Sequence, residues 1–245
     1  GPTLWVLKGA DPEDPNHAVF VRIQLPETLE SEVMLRLVDK VLGPKFFDVL
    51  RTQQQLGYIV QLGSNVSSKF SYLYAVVQTE FQPDYARSRI DAFFDENFKF
   101  MEESLAEEEF EVCRAGILSE LKQKPKNLGE ELGRYKTRFG TRTYDFGRRQ
   151  RAIDYLEKSA TLAGLKAFVR DTVRGAPRMY SQVVKTHPKE DKALPDDATP
   201  APADPAGLRR WDGLDCVKSF TPGATWLELN AEVDATAVFA SASKL

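Results

Sequence analysis

Cysteine and histidine are scarce, at two residues each in a chain of 245: Cys113, Cys216, His17 and His187. Two cysteines cannot build a disulfide framework or a cysteine-based zinc site, and they suit a reducing compartment. Two histidines far apart in sequence, one before a strand and one before a proline-rich stretch, have no partner at ligand spacing and read as turn and loop-end residues. Long apolar runs are also missing. The longest covers residues 72–77, whereas a bilayer-spanning helix needs about 20, so no membrane partner and a soluble protein are expected. Charge of one sign does not dominate. Thirty-three basic against 36 acidic residues leave a net charge of −3, which as a whole recruits neither nucleic acid nor an anionic surface. No secretory signal opens the chain, and Gly1-Pro2 reads as the scar of a cleaved tag, which makes a fragment the expectation. With 42% hydrophobic residues, disorder is excluded and a real core is affordable.

The residues that are present fall into clear periods. Residues 4–7 and 18–24 read as strands, the second alternating Val19, Val21 and Ile23 against Phe20 and Arg22; the Pro/Asp-rich turn between them predicts a β-hairpin with a long loop. Thr28 caps a helix to about residue 42 carrying Leu29, Val33, Leu37 and Val41. Gly43-Pro44 is expected to stop it and start a second helix through residue 53, with Phe46, Phe47 and Leu50 on one side. Strands at 58–62 and 70–78 follow, separated by a Gly/Ser/Asn turn at 63–68. From Pro83 the period lengthens, with Ile90, Phe94, Phe98 and Met101 forming one helical stripe. Further helices are predicted over 106–122, 128–139, 147–157 and from Thr161 to near 175, before a strand at 179–185. This order predicts an α+β fold, an antiparallel sheet covered on one side by helices. Residues 188–206 hold five prolines, five alanines and five acidic residues but no aromatic, and read as a linker or mobile loop after a domain at 3–187. Residues 207–245 then form a tail that can dock back through Arg210, Trp211, Phe220, Trp226 and Leu227.

The most informative segment is Leu50-Arg51-Thr52-Gln53-Gln54-Gln55-Leu56-Gly57-Tyr58-Ile59-Val60. It sets a cation at a helix end and a phenol at the start of the next strand, with a glycine between them that permits close backbone approach. A fixed guanidinium and a hydroxyl on adjacent elements can both donate to a developing oxyanion. A structural reading stands beside this one: Arg51 would cap the helix C-terminus, and Tyr58 would share a core face with Val60 and Leu62.

This segment resembles the Arg-Thr to Gly-Tyr signature of the insulysin/pitrilysin family of inverted-motif zinc metallopeptidases. Gln123-Lys124-Pro125-Lys126-Asn127-Leu128 and the helical pair from Tyr155 to Phe168 resemble the same family, and the likeness covers about residues 18–184. The resemblance implies the domain repeated in pitrilysin-like and mitochondrial-processing-peptidase-like metallohydrolases, here the last of four. It further implies an enclosed chamber that admits peptides and small unfolded chains, and zinc held in a His-x-x-Glu-His motif on the N-terminal catalytic half of the same polypeptide. No such motif occurs in this chain, so no metal site and no cofactor of its own are expected. Arg51 and Tyr58 would act as catalytic and substrate-binding residues that complete a site on another domain. A family member kept as a scaffold or assembly subunit is the alternative, and a homodimer stays open.

Seven basic residues between Arg134 and Arg151 face a single acid, Asp145, and are interleaved with Tyr135, Phe139, Tyr144 and Phe146. Helical spacing is expected to turn the aromatics inward and leave the charges solvated, which argues against nucleic acid as a partner. A polyanion or peptide-carboxylate site here, or at Lys122, Lys124 and Lys126, is a weaker alternative. Cys113 lies on an apolar stripe and reads as packing. Asn65-Val66-Ser67 fits a glycosylation acceptor but reads as a turn. Ser243-Lys244-Leu245 matches the address read by the peroxisomal import receptor, so a peroxisome-type organelle with a cytosolic (cytoplasmic) pool is the expected location.

Overall fold

The computed structural model describes residues 1–67, 69–140, 144–196 and 204–212, all within one unit, Gly1–Gly213. Phe220, Trp226, Leu227, Cys216 and the tripeptide Ser243-Lys244-Leu245 lie outside the described residues. Six strands, β1 (Thr3–Lys8), β2 (His17–Pro26), β3 (Val60–Val66), β4 (Phe70–Thr79), β5 (Arg178–Val184) and β6 (Arg209–Asp212), form one sheet in the order β3-β4-β2-β5-β1-β6. Six α-helices accompany it: α1 (Leu29–Phe47), α2 (Pro83–Glu103), α3 (Glu107–Lys122), α4 (Leu128–Gly140), α5 (Arg148–Lys158) and α6 (Leu162–Phe168). None of the described helices is long and apolar enough to cross a membrane.

The fold is α+β, but the sheet is mixed rather than antiparallel, and the expected hairpin between the first two strands does not form. β2 is taken on both edges by antiparallel partners, β4 and β5, while β1 pairs in parallel with β5 and β6. Of the β1 apolar run Leu4-Trp5-Val6-Leu7 only Leu4 is fully buried, and the other three are half-buried. The tail contributes β6, so Arg210 and Trp211 return to the sheet as a strand beside β1.

Alternation decides which face is covered. Val19, Val21, Ile23 and Leu25 of β2 and Leu73, Ala75 and Val77 of β4 are buried under the helices. Phe46 meets Phe93 edge-on at 5.0 Å, and Phe94 stacks on Phe98 at 5.2 Å. The opposite face is only half-buried, with Phe20 stacked on Tyr74 at 5.8 Å and the Arg22 guanidinium 5.1 Å from the Phe20 ring and 5.0 Å from that of Tyr72. Tyr74 lies so close over Gly63 that a Cβ there would fall 2.6 Å from its ring. Residues 63–66, expected in a turn, therefore continue β3.

Two threonines cap helices as the sequence suggests. The Thr28 hydroxyl accepts from the Ser31 N–H at 3.0 Å, and that of Thr161 from the Gly164 N–H at 3.1 Å. Pro44 does not stop its helix. α1 runs through it, since burial of Val41, Leu42, Phe46 and Leu50 in one core outweighs the lost hydrogen bond, and then loosens into a π-helical turn at Asp48–Gln53. His17 is no loop-end residue. It is 3% exposed and opens β2; its Nδ1 accepts from the Lys185 N–H at 3.1 Å while Nε2–H donates to Asp191 at 2.9 Å. Burial works against ionisation of Asp191, but the bonds from His17 and Lys185 outweigh it and hold the carboxyl below the ordinary carboxylate range. The stretch after β5 is thus tied to the sheet end through Asp191, and further by Lys189 to Glu80 at 2.6 Å.

Candidate functional site

The π-helical turn positions the first functional residue. Leu50 is fully buried and anchors the turn, and Leu56 is pinned beside it through a backbone bond to the Leu50 carbonyl at 3.0 Å. Between them Gln55 takes a left-handed conformation, φ 50°, which reverses the chain. Gly57 then passes so close to β4 that a Cβ would lie 1.7 Å from the Gln78 carbonyl oxygen, so only glycine fits. The chain leaves this contact at Tyr58, which is 80% exposed, and enters β3 at Val60.

Arg51 spans the reversal. Its Nη1 donates to the carbonyls of Gly57, at 3.3 Å, and Tyr58. Its guanidinium carbon lies 4.5 Å from the centroid of the Tyr58 ring and 5.4 Å from that of Phe47. The structure therefore brings together both residues singled out in the sequence. It also corrects the structural reading of each: Arg51 bonds loop carbonyls rather than those of its own helix end, and Tyr58 stands in solvent, apart from the buried Val60 and Leu62.

Phe47 is the member that sequence reasoning missed. It was grouped with Phe46 and Leu50, yet Phe46 is buried and Phe47 is 48% exposed. Its spacing of four residues before Arg51 on a helix was the available signal. The chemical capacity of the trio is donation without proton transfer. A phenol whose hydroxyl bonds to no described residue and a guanidinium held in place by two carbonyls can both donate to an oxygen that gains charge.

Among the described residues no group of three or more His, Cys, Asp or Glu can hold an ion. His17 is fully used in its buried hydrogen bonds, and His187 accepts from the Lys189 N–H. Cys113 is buried, and burial pushes its thiol above the usual range. A cleft of about 700 Å³ runs between α1 and the end of β3. There Asp39 accepts from the N–H and hydroxyl of Ser64, both at 3.1 Å, and burial raises its carboxyl pKa.

Four residues of the basic run are structurally engaged, and Arg142 lies outside the described residues. Arg148, 7% exposed, pairs with Glu27 at 2.5 Å and with Glu32; Arg149 donates to the Leu121 and Gln123 carbonyls, Arg134 to the Gln123 carbonyl, and Arg151 to Asp145. The interleaved aromatics do not turn inward. Tyr135, Phe139, Tyr144 and Phe146 are all exposed.

Comparison with known proteins bears on the fold. Residues 37–136 match the family described as PQQ synthase PqqF-like, C-terminal lobe domain 4. Human insulin-degrading enzyme is 28% identical over 178 residues, covering 72% of this chain and 17% of that protein. The A-factor-processing enzyme of Saccharomyces cerevisiae is 34% identical over 105 residues, 43% of this chain and 10% of its own. The chain thus spans well under a fifth of the length of these relatives. Among solved structures, pitrilysin superposes with a TM-score of 0.69 at 19% identity, covering 90% of this chain and 23% of its own. An inactive peptidase domain from Pseudomonas fluorescens superposes at 0.56 with 9% identity, covering 79% and 45%. These two show the shared fold, while the family match over residues 37–136 runs through the segment that carries Arg51 and Tyr58. The chain is thus similar in sequence to insulin-degrading enzyme and to a PqqF-like C-terminal lobe domain, and it shares its fold with pitrilysin.

Proposed function

We propose that this domain walls part of a substrate chamber in a zinc metalloendopeptidase and completes, with Arg51 and Tyr58, a site whose metal is held by another domain of the same polypeptide. The observation that carries this reading is the Arg51–Tyr58 pair, a guanidinium fixed against a phenol that folding leaves in solvent. In that role Arg51 and Tyr58 donate hydrogen bonds to a peptide carbonyl as it gains charge, and Phe47 flanks the guanidinium. The substrates are peptides or small unfolded chains that enter the chamber, as the names of the relatives suggest. The tripeptide Ser243-Lys244-Leu245 adds a peroxisome-type address to this reading, alongside a cytosolic pool.

A second reading, a non-catalytic assembly subunit, draws on the inactive domain among the structural neighbours. The full-length polypeptide separates the two. The peptidase reading expects one zinc per chain and chelator-sensitive cleavage of peptides, with the isolated 245-residue chain inert and zinc-free after dialysis. A full-length protein without zinc or cleavage favours the scaffold. Stoichiometric zinc on the isolated chain refutes both.

A further inference from the structure

Helix α4 presents Leu128, Leu132, Tyr135 and Phe139 at helical spacing, and their exposures are 79%, 60%, 43% and 56%. Tyr144 and Phe146 extend the same surface at 58% and 48%. The rings touch one another: Phe139 lies 5.3 Å from Phe146 and 6.1 Å from Tyr144, and Tyr135 lies 5.9 Å from Phe146. An amphipathic helix normally hides such a stripe. With aromatic side chains offering about 150–250 Å² each, the six residues leave on the order of 600 Å² of apolar surface in water, at the upper end of what a free monomer shows.

We infer that this face is an interdomain surface, covered by another domain of the same polypeptide. Three observations select that occupant. The chain accounts for only 17% of the length of the human relative, and the matching family model describes a fourth domain of a lobe, so most of the polypeptide lies outside these residues. Size agrees, because domain interfaces within one chain begin at about 600 Å², and tethering lets a modest patch suffice where a free dimer needs about 800 Å² per partner. Position agrees as well. α5, which follows the patch, is anchored by Arg148 to Glu27 and Glu32 at the start of α1, whereas Arg51 follows the end of that 19-residue helix, about 28 Å away. The patch therefore sits at the opposite end of α1 from the residues proposed to meet substrate. Glu130, Glu131, Arg134 and Lys136 edge the stripe, as the polar rim of an interface does.

The inference rests on the chain being one domain of a longer polypeptide, not on its chemistry, so it is tested in full-length protein carrying Tyr58→Phe, whether or not that protein cleaves peptides. Hydroxyl-radical footprinting should show Tyr135, Phe139, Tyr144 and Phe146 labelled at least fivefold more slowly in the full-length protein than in the isolated chain. Leu132→Glu combined with Phe139→Glu should expose α4 to limited proteolysis in the full-length protein, while leaving the melting temperature of the isolated chain unchanged or higher. Three results overturn the inference: equal labelling in both proteins, protection that appears only when a peptide is added, and protection that rises with protein concentration. The second would make the face a peptide-binding wall and the third a self-association surface.

Discussion

Tyr58→Phe removes one hydroxyl and leaves everything else in place. The side chain is 80% exposed and its hydroxyl bonds to no described residue, so folding should lose less than about 0.5 kcal/mol. The ring keeps its position against Arg51, since a phenyl face attracts a guanidinium nearly as well as a phenol does. If the hydroxyl meets a carbonyl oxygen that gains charge, turnover in the full-length enzyme falls by about 10²–10³. Arg51→Ala differs because Arg51 also has structural work. Losing its bonds to the Gly57 and Tyr58 carbonyls, together with both ring contacts, should cost about 1–2 kcal/mol at this half-exposed position. Turnover and melting temperature therefore fall together in the Arg51 variant, and turnover falls alone in the Tyr58 variant. Initial rates on a quenched fluorogenic peptide, zinc content and thermal melting of the two variants read the contrast. Parental turnover in Tyr58→Phe, or a loss that tracks lost zinc or lost folding, refutes the assignment.

Gly57→Ala drives a methyl group into the Gln78 carbonyl and should destabilise by about 1–3 kcal/mol while displacing Tyr58, so that full-length turnover falls further than melting accounts for; an unchanged melting temperature contradicts this. Hydrogen bonds from Lys40 and Arg36 hold the Glu120 carboxyl below its ordinary value of 4.5, so the stability it contributes is present above that value and is lost as pH falls through the depressed folded-state pKa. Glu120→Gln should cost no more than about 1 kcal/mol at pH 7 and nothing once the pH lies well below the depressed folded-state pKa; a urea-midpoint difference that persists in acid argues against the pairing. A fluorescent protein ending in residues 207–245 should enter peroxisome-type organelles, and the same fusion without Leu245 should stay in the cytosol. Identical distributions make the tripeptide a coincidence.

The sequence made local structure legible and left long-range placement hidden. The caps at Thr28 and Thr161 and the alternation of β2 and β4 follow from near neighbours, and the structure repeats them. The partners of β1 could not be read this way, because Arg178–Val184 and Arg209–Asp212 lie at the other end of the chain and parallel pairing leaves no turn to announce it. Pro44 misled for a related reason, since its local penalty is set against burial that only tertiary packing supplies. At the site, the type and spacing of Arg51 and Tyr58 were readable, whereas the exposure of Tyr58 and the separation of Phe47 from Phe46 depend on how the π-helical turn rotates the end of α1. For α4, periodicity identified an apolar face correctly and wrongly assumed that this unit would bury it.

In the strand order β3-β4-β2-β5-β1-β6, β5 lies between two strands that are made long before it. Until Arg178–Val184 leaves the ribosome, β2 is bare along the edge from Ala18 to Ile23, and β1 lacks the neighbour β5. A nascent chain at that stage has a three-stranded sheet whose open edge presents unpaired backbone N–H and C=O groups of β2, a ready template for pairing with the wrong molecule. Insertion of one late strand closes that edge and recruits β1 in the same event. The unit thus commits to its fold near the end of its synthesis, and a chain cut anywhere before residue 178 yields an aggregation-prone sheet rather than a smaller domain.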